Sequence, residues 1–338
     1  MPKEPVVVEV VRGQMVESSH RVHVCVSNLD GNLILRYGDE TLPVFPRSAI
    51  KPIQALPLVE SGAADAFGLT PFQLSLACAS HNGEALHTNA VVAWLEQLGL
   101  SENSMVCAGH WSSRQHVLIE QVQNDEQVRQ RHNNCSGKHC GLLTLAKHIG
   151  APLNGYERPD HPVQQRLLGT LEAMTATRLD MAKAAVDGCG IPTIPVPLGH
   201  LALGFANWAD PSEQPLARRH AIKQISDAIW DHPLAMAGTG RLCSRLNALH
   251  RSDAVDLIVK VGAEGVYCAA MPGLGYGLAL KVEDGATHAS EATLVAVLDR
   301  LGVFDTVSAE TRDQINVLRH PSIKTWAGDK VGKVNVRF

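Results

Sequence analysis

The sequence contains no apolar run long enough to span a bilayer, no block of like charge and no low-complexity tract. The first absence argues against a membrane helix, the other two against a disordered tail. No Cys-x-x-Cys occurs among its eight cysteines, at 25, 78, 107, 135, 140, 189, 243 and 268. A zinc ribbon or a thioredoxin-type redox pair is therefore not expected. The first eleven residues place glutamates inside their apolar run and lack the apolar core and small-residue cleavage site of a signal peptide. A cytoplasmic protein with mostly free thiols is the expectation. No internal repeat recurs at a fixed period, and the alternating βαβ rhythm of a Rossmann fold is missing. Net charge is 30 minus 34, or −4, which gives no field for nucleic acid or an anionic membrane.

What is present is an ordinary globular composition, 45% hydrophobic and 19% charged over 338 residues. Short runs rich in valine, leucine and isoleucine at 6–11, 21–27 and 33–37 are separated by turn residues, including Asp30-Gly31-Asn32, and predict an antiparallel meander. From about residue 48 to 254 the period moves toward 3.6. Helices are expected at 53–60, 83–98, 117–129, 136–149, 162–176 and about 216–230. Strand character returns at 255–261, 265–270 and 276–282, followed by a helix over 287–301 with Thr287 as its N-cap. The predicted fold is α+β: an antiparallel sheet from both chain ends (1–50 and 255–338), with packed helices and an inserted, mainly helical lobe (51–254). The site is expected where the lobes meet.

The chemistry centres on Ser48-Ala-Ile-Lys51. A serine and a lysine three apart share a helix face, and an amine there takes the hydroxyl proton if burial or a second cation keeps it neutral. Roughly one Ser-x-x-Lys is expected by chance in a chain this long, so the motif gains weight from its company. Ser80-His-Asn82 and Lys260-Val-Gly262 follow in order, completing the series found in serine penicillin-recognising enzymes. Ser101-Glu-Asn103 and Lys330-Val-Gly332 repeat the short patterns; position argues against both, one following Gly99 in a loop and the other in a basic tail. In this reading Ser48 is the nucleophile, Lys51 its base, and Lys260 and Ser80 a second pair or relay. By analogy with the β-lactamase fold, backbone N–H groups of Ser48 and Ala263 would hold the oxyanion. Pro52 disfavours helical geometry at Lys51, so the helix must begin near Ser48 to leave Pro52 in its first turn.

A second constellation is Asn133-Asn-Cys135-Ser-Gly-Lys138-His139-Cys140, with Cys189 further on. Its cysteines and histidine raise a zinc site, although the spacing matches no standard motif and buried cysteines commonly act as small hydrophobes. Gly238-Thr-Gly240-Arg241 reads as a turn before a short helix rather than a phosphate loop, since no complete motif is present.

Together these segments resemble the Rhizobium etli-type L-asparaginases over nearly the whole chain. The resemblance is carried by Val-Glu-Val-Val-Arg-Gly near the start, Pro46-Arg-Ser-Ala-Ile-Lys-Pro52, Ala79-Ser-His-Asn-Gly-Glu84, Asn134-Cys-Ser-Gly-Lys-His139, Asp187-Gly-Cys-Gly190, Ala237-Gly-Thr-Gly240 and Lys260-Val-Gly-Ala-Glu-Gly265. It implies hydrolysis of L-asparagine to L-aspartate and ammonia on a β-lactamase/glutaminase-like fold, in a homodimer. The resemblance also pairs Ser48 with Lys51 and Ser80 with Lys260, and implies a zinc ion held by Cys135, Lys138 and Cys189 with Asp187 close by. Arg47, His81, Asn82, Glu84, His139 and Arg241 lie in or beside these motifs as candidate contacts to the substrate's α-groups; a satisfied structural hydrogen bond is the alternative for each.

Three other readings stay open at this stage. A glutaminase or broader serine amidase or esterase differs by as little as one methylene of substrate, about 1–3 kcal/mol in an apolar pocket. A penicillin-binding role is disfavoured by the missing export signal. A zinc-dependent binding or regulatory protein on a disused catalytic fold is the non-enzymatic reading.

Overall fold

Strands from both chain ends make one eight-stranded antiparallel sheet. The computed structural model describes residues 4–338. In chain order the strands are β1 (Val6–Arg12), β2 (Met15–Ser27), β3 (Leu33–Tyr37), β4 (Ile258–Val261), β5 (Val266–Met271), β6 (Tyr276–Val282), β7 (Ser322–Lys324) and β8 (Lys330–Arg337). Their order across the sheet is β7-β8-β1-β2-β6-β5-β4, with β3 added to β2. The 13-residue β2 pairs with β1 through its first half, with β3 through its second, and with β6 from Val22 to Ser27.

The α+β expectation is met: the sheet is built from both ends of the chain around a helical insert. The chain divides into two compact units. The sheet-bearing unit is 1–49, 196–210 and 249–338; the helical unit is 50–195 and 211–248.

Two expected features need correction. Residues 196–210, assigned above to the helical lobe, belong with the sheet. The helix Leu198–Ala209 packs on β2, β5 and β6, and a Cβ on Gly277 of β6 would sit 2.0 Å from the Ala206 nitrogen. Every residue of β5 is buried, which requires cover on both faces; the helix Thr287–Arg300 also packs on this sheet. The supposed basic tail is β8, paired with β1 from Val7↔Arg337 to Arg12↔Gly332. From Lys333 to Arg337 polar residues alternate with valines, which marks a strand with one wet face. At the smaller scale, Ala286 rather than Thr287 caps the 287–300 helix.

In the helical unit the helix Ser136–His148 is buried from Ser136 to Ala146. Its glycines allow close packing. A Cβ on Gly137 would meet the Leu76 carbonyl oxygen at 2.2 Å, and one on Gly141 would lie 3.4 Å from a Leu58 methyl. The helices Lys51–Glu60, Pro71–Ala77, Ala85–Gln97 and Pro162–Thr175 surround it. Lys51 opens its helix with Pro52 in the first turn, directly after a 3-10 turn at Arg47–Ile50, as the proline required.

Candidate active site

In the sheet-bearing unit the Ser48 turn and the Lys260-Val-Gly262 motif lie against each other. A Cβ on Gly262 would stand 2.7 Å from the Pro46 oxygen and 3.3 Å from the Ala49 Cβ. Glycine at 262 is what lets the two backbones approach. Each segment is also strained: Arg47 has φ +50° and Glu264 φ +57°. Non-glycine residues held in the left-handed region cost of order 1–3 kcal/mol and cluster at functional sites. Ser48 is half-buried; Lys260, on β4 opposite Cys268, is 1% exposed, and its amine donates to the Val261 oxygen at 2.8 Å. Burial pushes the Cys268 thiol up, leaving a neutral neighbour beside that amine.

In the helical unit Lys51 is completely buried, and its Nζ donates to three acceptors. These are the Ala79 oxygen, the Ser80 Oγ at 3.0 Å and the Cys135 Sγ at 3.0 Å. An ammonium has three N–H bonds to give, so this set accounts for all of them. Deprotonated, the amine turns its lone pair to one of the three, and Ser80 is the hydroxyl among them. The Ser80 N–H bonds the Met236 oxygen at 3.0 Å, which holds the residue in place. The pairing of Lys51 with Ser80 was not legible in the sequence, where Lys51 reads as the partner of Ser48.

Cys135, Lys138 and Cys189 come together in the same unit, all buried. Lys138 Nζ lies 3.3 Å from Cys189 Sγ, and the two thiols share a hydrogen bond. That bond, with the Lys51 and Lys138 amines, pushes Cys135 well below the ordinary thiol range against the opposing effect of burial. The same bond, reinforced by burial, pushes Cys189 up. Burial lowers Lys138, but Cys189, Cys135 and Asp187 outweigh it and raise its pKa. Among the described residues no three His, Cys, Asp or Glu side chains gather around one point. A metal held by this cluster therefore needs the lysine as a donor. Two thiols and an amine form the nitrogen–sulfur set that zinc accepts, once their protons are displaced.

The other candidate residues divide into two groups. The His81 Nδ1 accepts from the Gly83 N–H at 3.1 Å and its Nε2 lies 2.8 Å from Ser136 Oγ, which itself donates to the Arg131 oxygen. Both ring nitrogens are thus engaged, and the ring stacks on His87 with centroids 4.7 Å apart. The Asn82 amide donates to Glu84 Oε1 and the Thr239 oxygen, and its Oδ1 accepts from Arg241 at 3.3 Å. Glu84 also receives the Thr239 N–H and hydroxyl; burial would raise its carboxyl, and these bonds overrule it and hold it down. His81, Asn82 and Glu84 therefore brace the loops at 80–84 and 237–241, the arrangement expected of structural hydrogen bonds. Gly238, at φ +106°, fits there because a Cβ would meet the Asn82 Nδ2 at 2.6 Å.

His139 differs. Its Nδ1 lies 2.5 Å from the Tyr156 hydroxyl, which accepts from the Val106 N–H at 3.0 Å. The hydroxyl hydrogen is then free to go to Nδ1, which puts the ring proton on Nε2. That Nε2 is buried and has no hydrogen-bond partner in the protein. Burial, then the Lys138 and Lys51 charges, hold His139 well below its ordinary value, so the ring is neutral. Tyr156 is a residue that the sequence reading missed, since nothing in its local pattern links it to His139.

The sequence profile of the L-asparaginase II family matches residues 8–336. The chain belongs to the L-asparaginase II family. No curated protein matches it. Among solved structures this L-asparaginase II chain is similar to Mglu in its native form in 4.3 M NaCl, at 11% identity and a TM-score of 0.44, over 88% of this chain and 60% of that one. It is likewise similar to a β-lactamase from Mycobacterium bovis, at 12% identity and a TM-score of 0.42, over 82% and 94%. The chain thus spans about three fifths of the length of Mglu. Among the described residues of this family member, no helix is long and apolar enough to cross a membrane.

Proposed function

We propose that the protein hydrolyses the side-chain amide of L-asparagine, giving L-aspartate and ammonia. The observation that carries this reading is the buried Lys51 amine, 3.0 Å from the Ser80 hydroxyl, in a chain whose family profile spans residues 8–336. Ser48 attacks the amide carbon, Lys51 takes up the proton directly or through Ser80, ammonia leaves, and water hydrolyses the β-aspartyl ester. Lys260 provides the second lysine of the set. The Ser48 and Ala263 N–H groups receive the oxyanion. The close approach of Gly262 to Pro46 and Ala49 supports this assignment.

Substrate recognition draws on His139, Arg47 and Arg241. The His139 Nε2–H is a buried donor suited to a carboxylate, since an unmade bond there costs about 1–3 kcal/mol that a ligand recovers. Arg47 and Arg241 add guanidinium groups in the neighbouring motifs. Cys135, Lys138 and Cys189 would hold zinc, which when bound would supply a positive charge for the α-carboxylate of the substrate, or a Lewis-acid partner for its α-amino group in the neutral form. Asp187 lies close enough to act on Lys138 electrostatically.

The Lys51–Ser80 bond favours one second reading, in which Ser80 carries the acyl group. Ammonia release with asparagine and glutamine in parallel, with metal content determined on the same sample, tests the function. Trapping the acyl-enzyme and locating it by mass spectrometry separates Ser48 from Ser80. A Ser48→Ala protein that turns over asparagine at the wild-type rate removes Ser48 as nucleophile.

A further inference from the structure

Two histidines of the sheet-bearing unit, unused by any of the chemistry above, point their Nε2 atoms at each other. His20 lies on β2 and His288 is the second residue of the helix Thr287–Arg300. The two nitrogens are 3.0 Å apart, and the rings meet edge to face with centroids 4.6 Å apart. On the far side of His20, Nδ1 lies 2.6 Å from Asp284 Oδ2. The other Asp284 oxygen accepts from the Ala286 N–H at 3.0 Å, which locks the carboxylate in its turn. Ser18 Oγ stands 3.4 Å from His20 Nε2.

Proton positions follow from these contacts. The bonds from His20 and Ala286 hold Asp284 below the usual carboxylate range, so it accepts and His20 carries its proton on Nδ1. Its Nε2 then faces His288. Two imidazole nitrogens and a hydroxyl thus converge on one point, with a carboxylate behind one ring. A carboxylate on the second ring nitrogen is the arrangement that metal-ligating histidines show. Two Zn–N bonds of about 2.0–2.1 Å at a tetrahedral angle place their nitrogens roughly 3.3 Å apart. His288 is exposed and needs only a small movement to reach that separation.

We propose that His20 and His288 form a separate surface site for a divalent transition-metal ion, oriented by Asp284 and completed by water. Imidazole donors suit zinc, nickel and copper. The ion would tie the start of the 287–300 helix to β2.

The test uses the full-length protein with its thiol site first filled by one equivalent of Zn2+. Ni2+ is then titrated by calorimetry while released Zn2+ is followed with a chromogenic chelator. Wild type is expected to take up one further ion without releasing zinc. His288→Gln should weaken that uptake at least tenfold, and Asp284→Asn, which keeps both imidazoles, by about 10–100-fold. A wild type that takes up no nickel overturns the site, as does a His288→Gln protein that binds it with wild-type affinity. Unchanged affinity in Asp284→Asn overturns the orienting carboxylate.

Discussion

The Tyr156 hydroxyl sits 2.5 Å from His139 Nδ1 and thereby decides which ring nitrogen of His139 carries the hydrogen. Tyr156→Phe removes that control and leaves the Val106 N–H without its acceptor. The variant is expected to lose about 1–3 kcal/mol of stability. Its KM for asparagine should rise more than its kcat falls, because the donor it misplaces belongs to substrate recognition. Thermal melts and steady-state kinetics on the same preparation check both parts. An unchanged KM would sink the role given to His139.

Lys51→Met deletes the buried amine while keeping most of its volume. Loss of general acid–base function predicts a fall in kcat of about 10²–10⁴-fold. Lys51→Arg should not restore it, since a guanidinium stays charged and cannot accept the hydroxyl proton. Far-ultraviolet circular dichroism establishes that the variants fold. A folded Lys51→Met protein with wild-type kcat would rule out the amine as base.

Gly262→Ala introduces one methyl where the Pro46 oxygen would lie 2.7 Å away and the Val266 Cβ 3.0 Å away. Overpacking of this kind costs about 1–3 kcal/mol, and here it also separates the Ser48 turn from the end of β4. Both the melting temperature and kcat should drop. A variant as stable and as active as wild type would show that the two segments need not touch.

His81 and His87 give the fold an acid limit. Burial, followed for His81 by neighbouring histidines and Lys51, holds both below their ordinary value of about 6.5. Above that value both are neutral, folded or unfolded. Below it the unfolded chain binds protons that the folded chain refuses, so stability falls as pH drops from about 6.5. Denaturant midpoints at pH 7.5 and 5.0 should show the loss, and His87→Gln should reduce it. A midpoint as high at pH 5.0 as at 7.5 would contradict this account.

Removal of metal by dialysis against a chelator should raise KM for asparagine, with recovery on adding Zn2+. The effect should also grow as pH falls, because protons compete for the two thiolates and the lysine amine. Chelated protein with unaltered KM and kcat would take the metal out of substrate binding.

Much of this layout was legible from pattern. Asp30-Gly31 and the valine runs gave the N-terminal meander, and Pro52 placed a helix start near Ser48, where a 3-10 turn leads into the helix from Lys51 with Pro52 in its first turn. Gly238-Thr-Gly240 was also read as the turn that the structure shows, before the helix Leu242–Asn247. What escaped depends on tertiary contacts. Leu198–Ala209 directly follows a proline-rich stretch that reads as an extended loop, and it is apolar on most sides; packing on β5 and β6 makes it a helix of the sheet unit. Lys330–Arg337 reads as a charged tail because one face stays wet, and only its pairing with β1 reveals it as a strand. Within the site, motif order singled out Ser48, Ser80 and Lys51. The Lys51–Ser80 bond and the orienting Tyr156 needed three-dimensional proximity between residues with no common local pattern.

The pairing of Val7 with Arg337 has a consequence for biosynthesis. β1 leaves the ribosome long before β8, one of its two neighbours. Until β8 emerges, that edge of β1 presents unpaired backbone groups to other chains. Loop closure over such a span is slow to reward, so the helical unit, most of it one continuous stretch, has the earlier opportunity to form. Nascent chains stalled before residue 330 should be prone to association through that edge, and a factor that shields exposed strands during synthesis would raise the yield of folded protein.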